Sequence, residues 1–111
     1  MGTFRLYTDS GGKSRIESID LGKVPEWTKG LATTQITFRE WPAGQFIDWH
    51  PAPRRQFVIL LSGGLEIGLS DGSKQVFRAG DARLVEDTTG QGHTTRVVGS
   101  EPTITATIPL A

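Results

Sequence analysis

The stretch "QFVILLSGGLEIGLSDGSKQVFRAG", residues 56–80, decides the fold class. Its first seven residues, 56–62, are the most apolar run in the chain, and a strand drawn through them is apolar on both faces. Such a strand belongs in the middle of a sheet with cover on both sides, and a second subunit is one source of the outer cover. Gly63-Gly64 turns the chain into "LEIGLS", and Asp71-Gly72, a strong hairpin signal, turns that into "KQVFRAG".

The same alternation of short β-type segments and turns runs outward in both directions. "FRLYT" and "SRIESIDL" flank "DSGGK", a hairpin in which Gly11 and Gly12 offer the positive φ values of a tight turn. "KVPEWTKG" (23–30) reads as a loop with room for one helical turn. "TTQITFREWP" (33–42) alternates Ile36 and Phe38 with polar neighbours, the period of a half-buried strand. "DARLVED", "TTRVVGS" and "TITATIPL" complete eight or nine short strands, and no amphipathic helix intervenes. Fourteen glycines and six prolines, spread along the whole chain, agree with short strands and tight turns. The expected class is all-β, closed into a sandwich or barrel that hides its strand edges, and a jelly roll fits the count and spacing.

The 111 residues make one domain, 1–111, large enough for one core. Twelve basic and twelve acidic residues balance, with no basic block, so neither nucleic acid nor a membrane surface is an expected partner. Cysteine is absent, which removes disulfides, thiolate nucleophiles and thiolate metal sites together. The first residues carry no apolar core of signal-peptide length, and a cytoplasmic location is the expectation.

Two motifs resemble those of the cupins, small β-barrel proteins. The first cupin motif runs G, five residues, H-x-H, three or four residues, E, six residues, G. Gly44, His50, Ala52, Gln56 and Gly63 reproduce every spacing over residues 44–63, with Ala52 in place of the second histidine and Gln56 in place of the glutamate. The second motif, at 80–97, begins at Gly80 and has Glu86 in place of its proline. Gly90 and His93 match its end two residues late, and Val97 replaces its asparagine. The resemblance implies a jelly-roll (double-stranded β-helix) barrel of the cupin type. It also implies a homodimer and a divalent metal ion, or a depleted site with none.

The chain has two histidines, and each falls on a cupin ligand position. His50, Gln56 and His93 are the candidate ligands, His93 arriving from a strand across the barrel. Imidazole suits iron, manganese, nickel, zinc or copper, while the amide of Gln56 is a neutral, weaker ligand than carboxylate. Gln56 has a second reading, fixing the His50 tautomer or a bound water. Of the adjacent Arg54 and Arg55, one can enter the barrel mouth and hold an anionic substrate, or both can form ion pairs with Glu66, Glu86 or Asp87. Glu86 is the candidate acid or base at the mouth, or a ligand replacing the missing glutamate; otherwise one of Glu86 and Asp87 faces solvent and the other caps the "TTGQGH" turn. Trp49, with Trp41, Phe46 and Tyr7, can line an apolar mouth that contacts a small molecule, or simply pack.

Three functions stay open. One is a metal-dependent enzyme of dioxygenase, isomerase or lyase type acting on a small, anionic molecule. Another is a metal-free ligand-binding module or sensor. The third is a metal-free acid–base enzyme that pairs a histidine with Glu86. A cupin fold does not choose among them.

Overall fold

The computed structural model describes residues 1–111 as ten strands, one more than the upper count expected from sequence. They are β1 (Thr3–Thr8), β2 (Ser14–Ser18), β3 (Thr37–Trp41), β4 (Phe46–His50) and β5 (Gln56–Ser62), then β6 (Gly64–Gly68), β7 (Lys74–Arg78), β8 (Ala82–Glu86), β9 (His93–Val97) and β10 (Thr103–Pro109). One helical turn, α1 (Pro25–Thr28), lies in the expected loop, with Pro25 at its first position where a missing N–H costs nothing. No helix is long and apolar enough to cross a membrane.

The strands form two sheets, ordered β2-β1-β8-β5-β10-β3 and β4-β9-β6-β7. Every pairing is antiparallel except β1 with β8. β5 belongs to the larger sheet and β6 to the smaller, so Gly63-Gly64 is a corner between sheets and not a hairpin. Gly63 sits at φ +79°, and a Cβ there would lie 2.3 Å from Thr103 Oγ1, so only glycine fits this corner. In the first hairpin, Gly12 alone has a positive φ and Gly11 does not.

Alternation along each strand divides core from surface. Leu6, Val58, Leu60, Leu65, Ile67, Phe77, Val85 and Val97 fill the interior with Ala52, each large side chain contributing about 1.5–3 kcal/mol by leaving water. At Ala52, Val58 and Val85 this apolar packing meets a polar chamber.

The outer face of the larger sheet departs from expectation. Phe57 is covered by Trp27 of α1, their rings edge-to-face at 4.9 Å, but Leu61 of the same strand is 49% exposed. On β3 the buried side is also reversed. Arg39 and Trp41 turn inward to the chamber, while Phe38 is 67% exposed and Ile36, just before the strand, is exposed too. Alternation located the strand, but its apolar face is the outer one, because the inner face lines a polar cavity.

Candidate functional site

His50 ends β4 and His93 begins β9, and the two stand opposite each other in the β4–β9 register after an irregularity between Ile47 and His50. Their ring centroids are 4.5 Å apart, tilted by 60°. The imidazoles therefore meet as lateral neighbours within one sheet and not across the barrel. Gly92 permits the approach. Its φ is +80°, and a Cβ on it would lie 1.9 Å from the His50 carbonyl oxygen.

Each ring is oriented through Nδ1. That of His50 lies 2.7 Å from the Asp48 carbonyl oxygen. A carbonyl only accepts, so Nδ1 carries the proton and Nε2 keeps its lone pair. His93 Nδ1 lies 2.6 Å from Asp87 Oδ2 and donates to that carboxylate, freeing its own Nε2 in the same way. Asp87 is fully buried, and Ser14 Oγ donates to the same Oδ2 at 2.6 Å. The Asp87 carbonyl accepts from Ala52 N at 2.9 Å, tying the segment after β4 to the end of β8.

The rings open on a cavity of about 270 Å³ between the sheets. Its wall includes Gln56, Ala52, Thr95 and Thr107, with Trp41, Arg39 and Arg83. Trp41 Nε1 donates to Thr105 Oγ1 at 3.0 Å, and the Arg39 guanidinium lies over the Trp41 ring at 3.6 Å. No aspartate or glutamate lines the chamber. Arg83 is 5% exposed, and its Nε and Nη1 have no hydrogen-bond partner. Its guanidinium stands 4.9 Å from the centre of the Phe77 ring, and burial pushes its pKa down to about 10 against the pull of Asp87 and Asp81.

The side chains include no cluster of three or more His, Cys, Asp or Glu placed to hold a metal ion. An ion in the chamber would thus depend on Gln56 as third donor beside two imidazoles. Two Nε2 lone pairs and an amide oxygen are chemically suited to a first-row divalent ion. The Asp87–His93 bond is the outer support that such a ligand uses.

No family model and no curated protein matches the chain. Solved structures do match. A Klebsiella pneumoniae protein with a double-stranded β-helix domain aligns at 26% identity and TM-score 0.52, over 68% of this chain and 64% of that one. The chain thus spans a little under two thirds of that protein's length. A cupin domain from Bordetella pertussis aligns at 17% identity and TM-score 0.53, over 68% and 79%. A Cupin 2 conserved barrel domain protein from Salinispora arenicola aligns at 18% identity and TM-score 0.55, over 78% and 70%. The fold is that of the cupin superfamily.

In this cupin-type fold the segment of the first motif delivers His50, Ala52 and Gln56 to the chamber, and that of the second delivers His93. The other sequence candidates sit elsewhere. Glu86, read as an acid or base at the mouth, lies on the outer face of β8. There it pairs with Arg5 and, at 2.8 Å, with Arg55. Arg55 is thereby committed to an outer ion pair, and Arg54 is exposed. Neither lines the chamber on which the imidazoles open. Trp49 is exposed and outside the chamber wall, as is Phe46 beneath Arg96. Tyr7 lies under Arg5, and of the four aromatic candidates only Trp41 reaches the chamber. Asp87 neither faces solvent nor caps a turn. A second cavity, about 330 Å³, lies on the outer face beneath Trp27, and its Arg5, Glu17, Glu86 and Arg55 pair with one another.

Arg83 and Arg39 in the chamber wall, and Asp87 behind His93, were not identified as site groups from the sequence. "DARLVED" was legible as a strand, but Leu84 and Val85 are both apolar, so alternation did not say which parity faces in. Val85 faces in, and Arg83 and Asp87 go with it.

Proposed function

We propose that this cupin binds a small molecule in its barrel and holds a divalent transition-metal ion there on His50, His93 and Gln56. The observation that carries the reading is the imidazole pair, 4.5 Å between centroids, with both Nδ1 atoms engaged and both Nε2 atoms left without a protein partner. A bound ion would supply Lewis-acid polarisation and open coordination positions to the molecule beside it. The buried Asp87 keeps His93 in the ligating tautomer. Trp41, Val58 and Val85 give the chamber an apolar wall beside the imidazoles.

Elemental analysis of the purified protein, dialysed against each of manganese, iron, nickel, copper and zinc, tests the reading. About one ion per chain is the expected result, falling to trace level in His50→Ala and His93→Ala and weakening in Gln56→Ala. A second reading, a metal-free ligand-binding module, is favoured by Ala52 at the vacant ligand position and by a chamber wall without carboxylate. Trace metal in the wild type under every condition would establish that reading instead. Acid–base chemistry without a metal would fall to His93 backed by Asp87, and not to Glu86.

We also propose a homodimer built on the outer face of the larger sheet. Phe38, Ile36 and Leu61 are exposed there, and β3 is an edge strand with unpaired backbone groups. An apolar row beside a free edge can pair with its own copy about a two-fold axis. Sedimentation velocity should show a dimer that Phe38→Glu converts to monomer; a wild-type monomer at high micromolar concentration would remove the proposal.

A further inference from the structure

Arg83 is the least explained group in the molecule. A guanidinium is normally matched when buried, since an isolated charge out of water is costly. Here it lines the chamber with Nε and Nη1 unpartnered, and no carboxylate lies within salt-bridge distance. Asp87, the carboxylate that acts most strongly on Arg83, gives Oδ2 to Ser14 and His93, and its buried Oδ1, like the two Arg83 nitrogens, has no hydrogen-bond partner. Phe77 offers its ring face, which satisfies none of the N–H donors. Thr95 and Thr107 add hydroxyls to the same wall, and Arg39 adds a second positive charge at the rim.

We propose that Arg83 receives the carboxylate of a small organic acid bound in the chamber, with Arg39 guiding it in at the rim. The inference deepens the reading of the chamber as a ligand site but does not depend on a metal. With no ion the wall carries two guanidiniums and no carboxylate. With an ion on three neutral donors the positive charge is larger still. In both states the missing partner is an anion. With no ion bound, the buried Arg83 is a single charge that a monoanion balances. Guanidinium and carboxylate match in shape as well as in charge, each N–H···O bond being charge-assisted. The remainder of the acid would meet the imidazole Nε2 lone pairs, which accept a hydroxyl proton or share a metal ion with it.

Formate and acetate are the probes, since both are small enough for a 270 Å³ chamber whatever the rest of its preferred ligand. Melting temperature is followed against each salt at constant ionic strength, with chloride and inorganic phosphate as comparisons, on metal-loaded and chelator-treated protein. The expected result is a saturable rise with formate and acetate in both preparations and none specific to chloride. Affinity should fall at least tenfold in Arg83→Met and less in Arg83→Lys, which keeps the charge. The wild-type titration stands on its own should Arg83→Met fail to fold. No saturable carboxylate response in the wild type overturns the proposal, as does a response to phosphate alone. A carboxylate response that vanishes with chelator and persists in Arg83→Met would assign the acid to the metal and also overturn it. Loss of metal binding with the response intact would remove only the metal reading.

Discussion

Gly92→Ala is expected to destabilise the protein by roughly 3 kcal/mol or more and to separate the two imidazoles. Two penalties coincide at this residue. Its φ of +80° is one that L-residues other than glycine, asparagine and aspartate seldom adopt, and a Cβ would stand 1.9 Å from His50 O and 2.2 Å from His50 C. Those are backbone atoms, so no side-chain rotation relieves the collision, and β4 must move away from β9. Gly44→Ala is the matched control. Gly44 has a φ of +78° with open space around it, so only the conformational penalty of about 1–2 kcal/mol applies. Urea unfolding measures both costs. Imidazole ¹⁵N spectra report whether the Nδ1–H tautomers survive. Equal costs for the two variants would mean that the chain relaxes around Gly92 and that the contact does not hold the site together.

Asp87→Ala is the second large effect, a loss of about 3–5 kcal/mol, since two buried hydrogen bonds to a charged acceptor go with it at about 1.5–3 kcal/mol each. Asp87 is fully buried and accepts from Ser14 Oγ and His93 Nδ1 at 2.6 Å each. Its removal strands two donors in the interior and takes from Arg83 the negative charge that does most to hold up its pKa. Asp87→Asn keeps the volume but can present an N–H where His93 needs an acceptor. The ring is then expected to flip or change tautomer, with less loss of stability than in the alanine variant. Denaturation separates the two costs, and the ¹⁵N tautomer pattern reads the second. An unchanged His93 tautomer in Asp87→Asn would show that packing, not the carboxylate, orients the ring.

The two predictions rest on parts of the site that differed in legibility. The spacing Gly44, His50, Gln56, Gly63 was readable because strand and turn lengths in a jelly roll are set by local alternation and by glycine φ values. Both histidines could be placed in the barrel only through the resemblance of their spacing to the cupin motifs. Their partners could not. Asp87 and Glu86 are adjacent carboxylates, and only the parity of β8 within the sheet sends one to His93 and the other to Arg5 and Arg55. Arg54 and Arg55 were the conspicuous basic pair, but the charge inside the barrel belongs to Arg83, a single arginine in an otherwise ordinary strand.

By itself the sequence determined an all-β chain and the places of its turns. Those properties follow from period-2 patterning and backbone sterics, which act between near neighbours. Tertiary structure alone decided that the imidazoles are lateral neighbours, that β3 turns its phenylalanine outward, and that an unpaired guanidinium shares their chamber. Such facts depend on which face of each strand closes over which other, a choice made by the packing of the two sheets together.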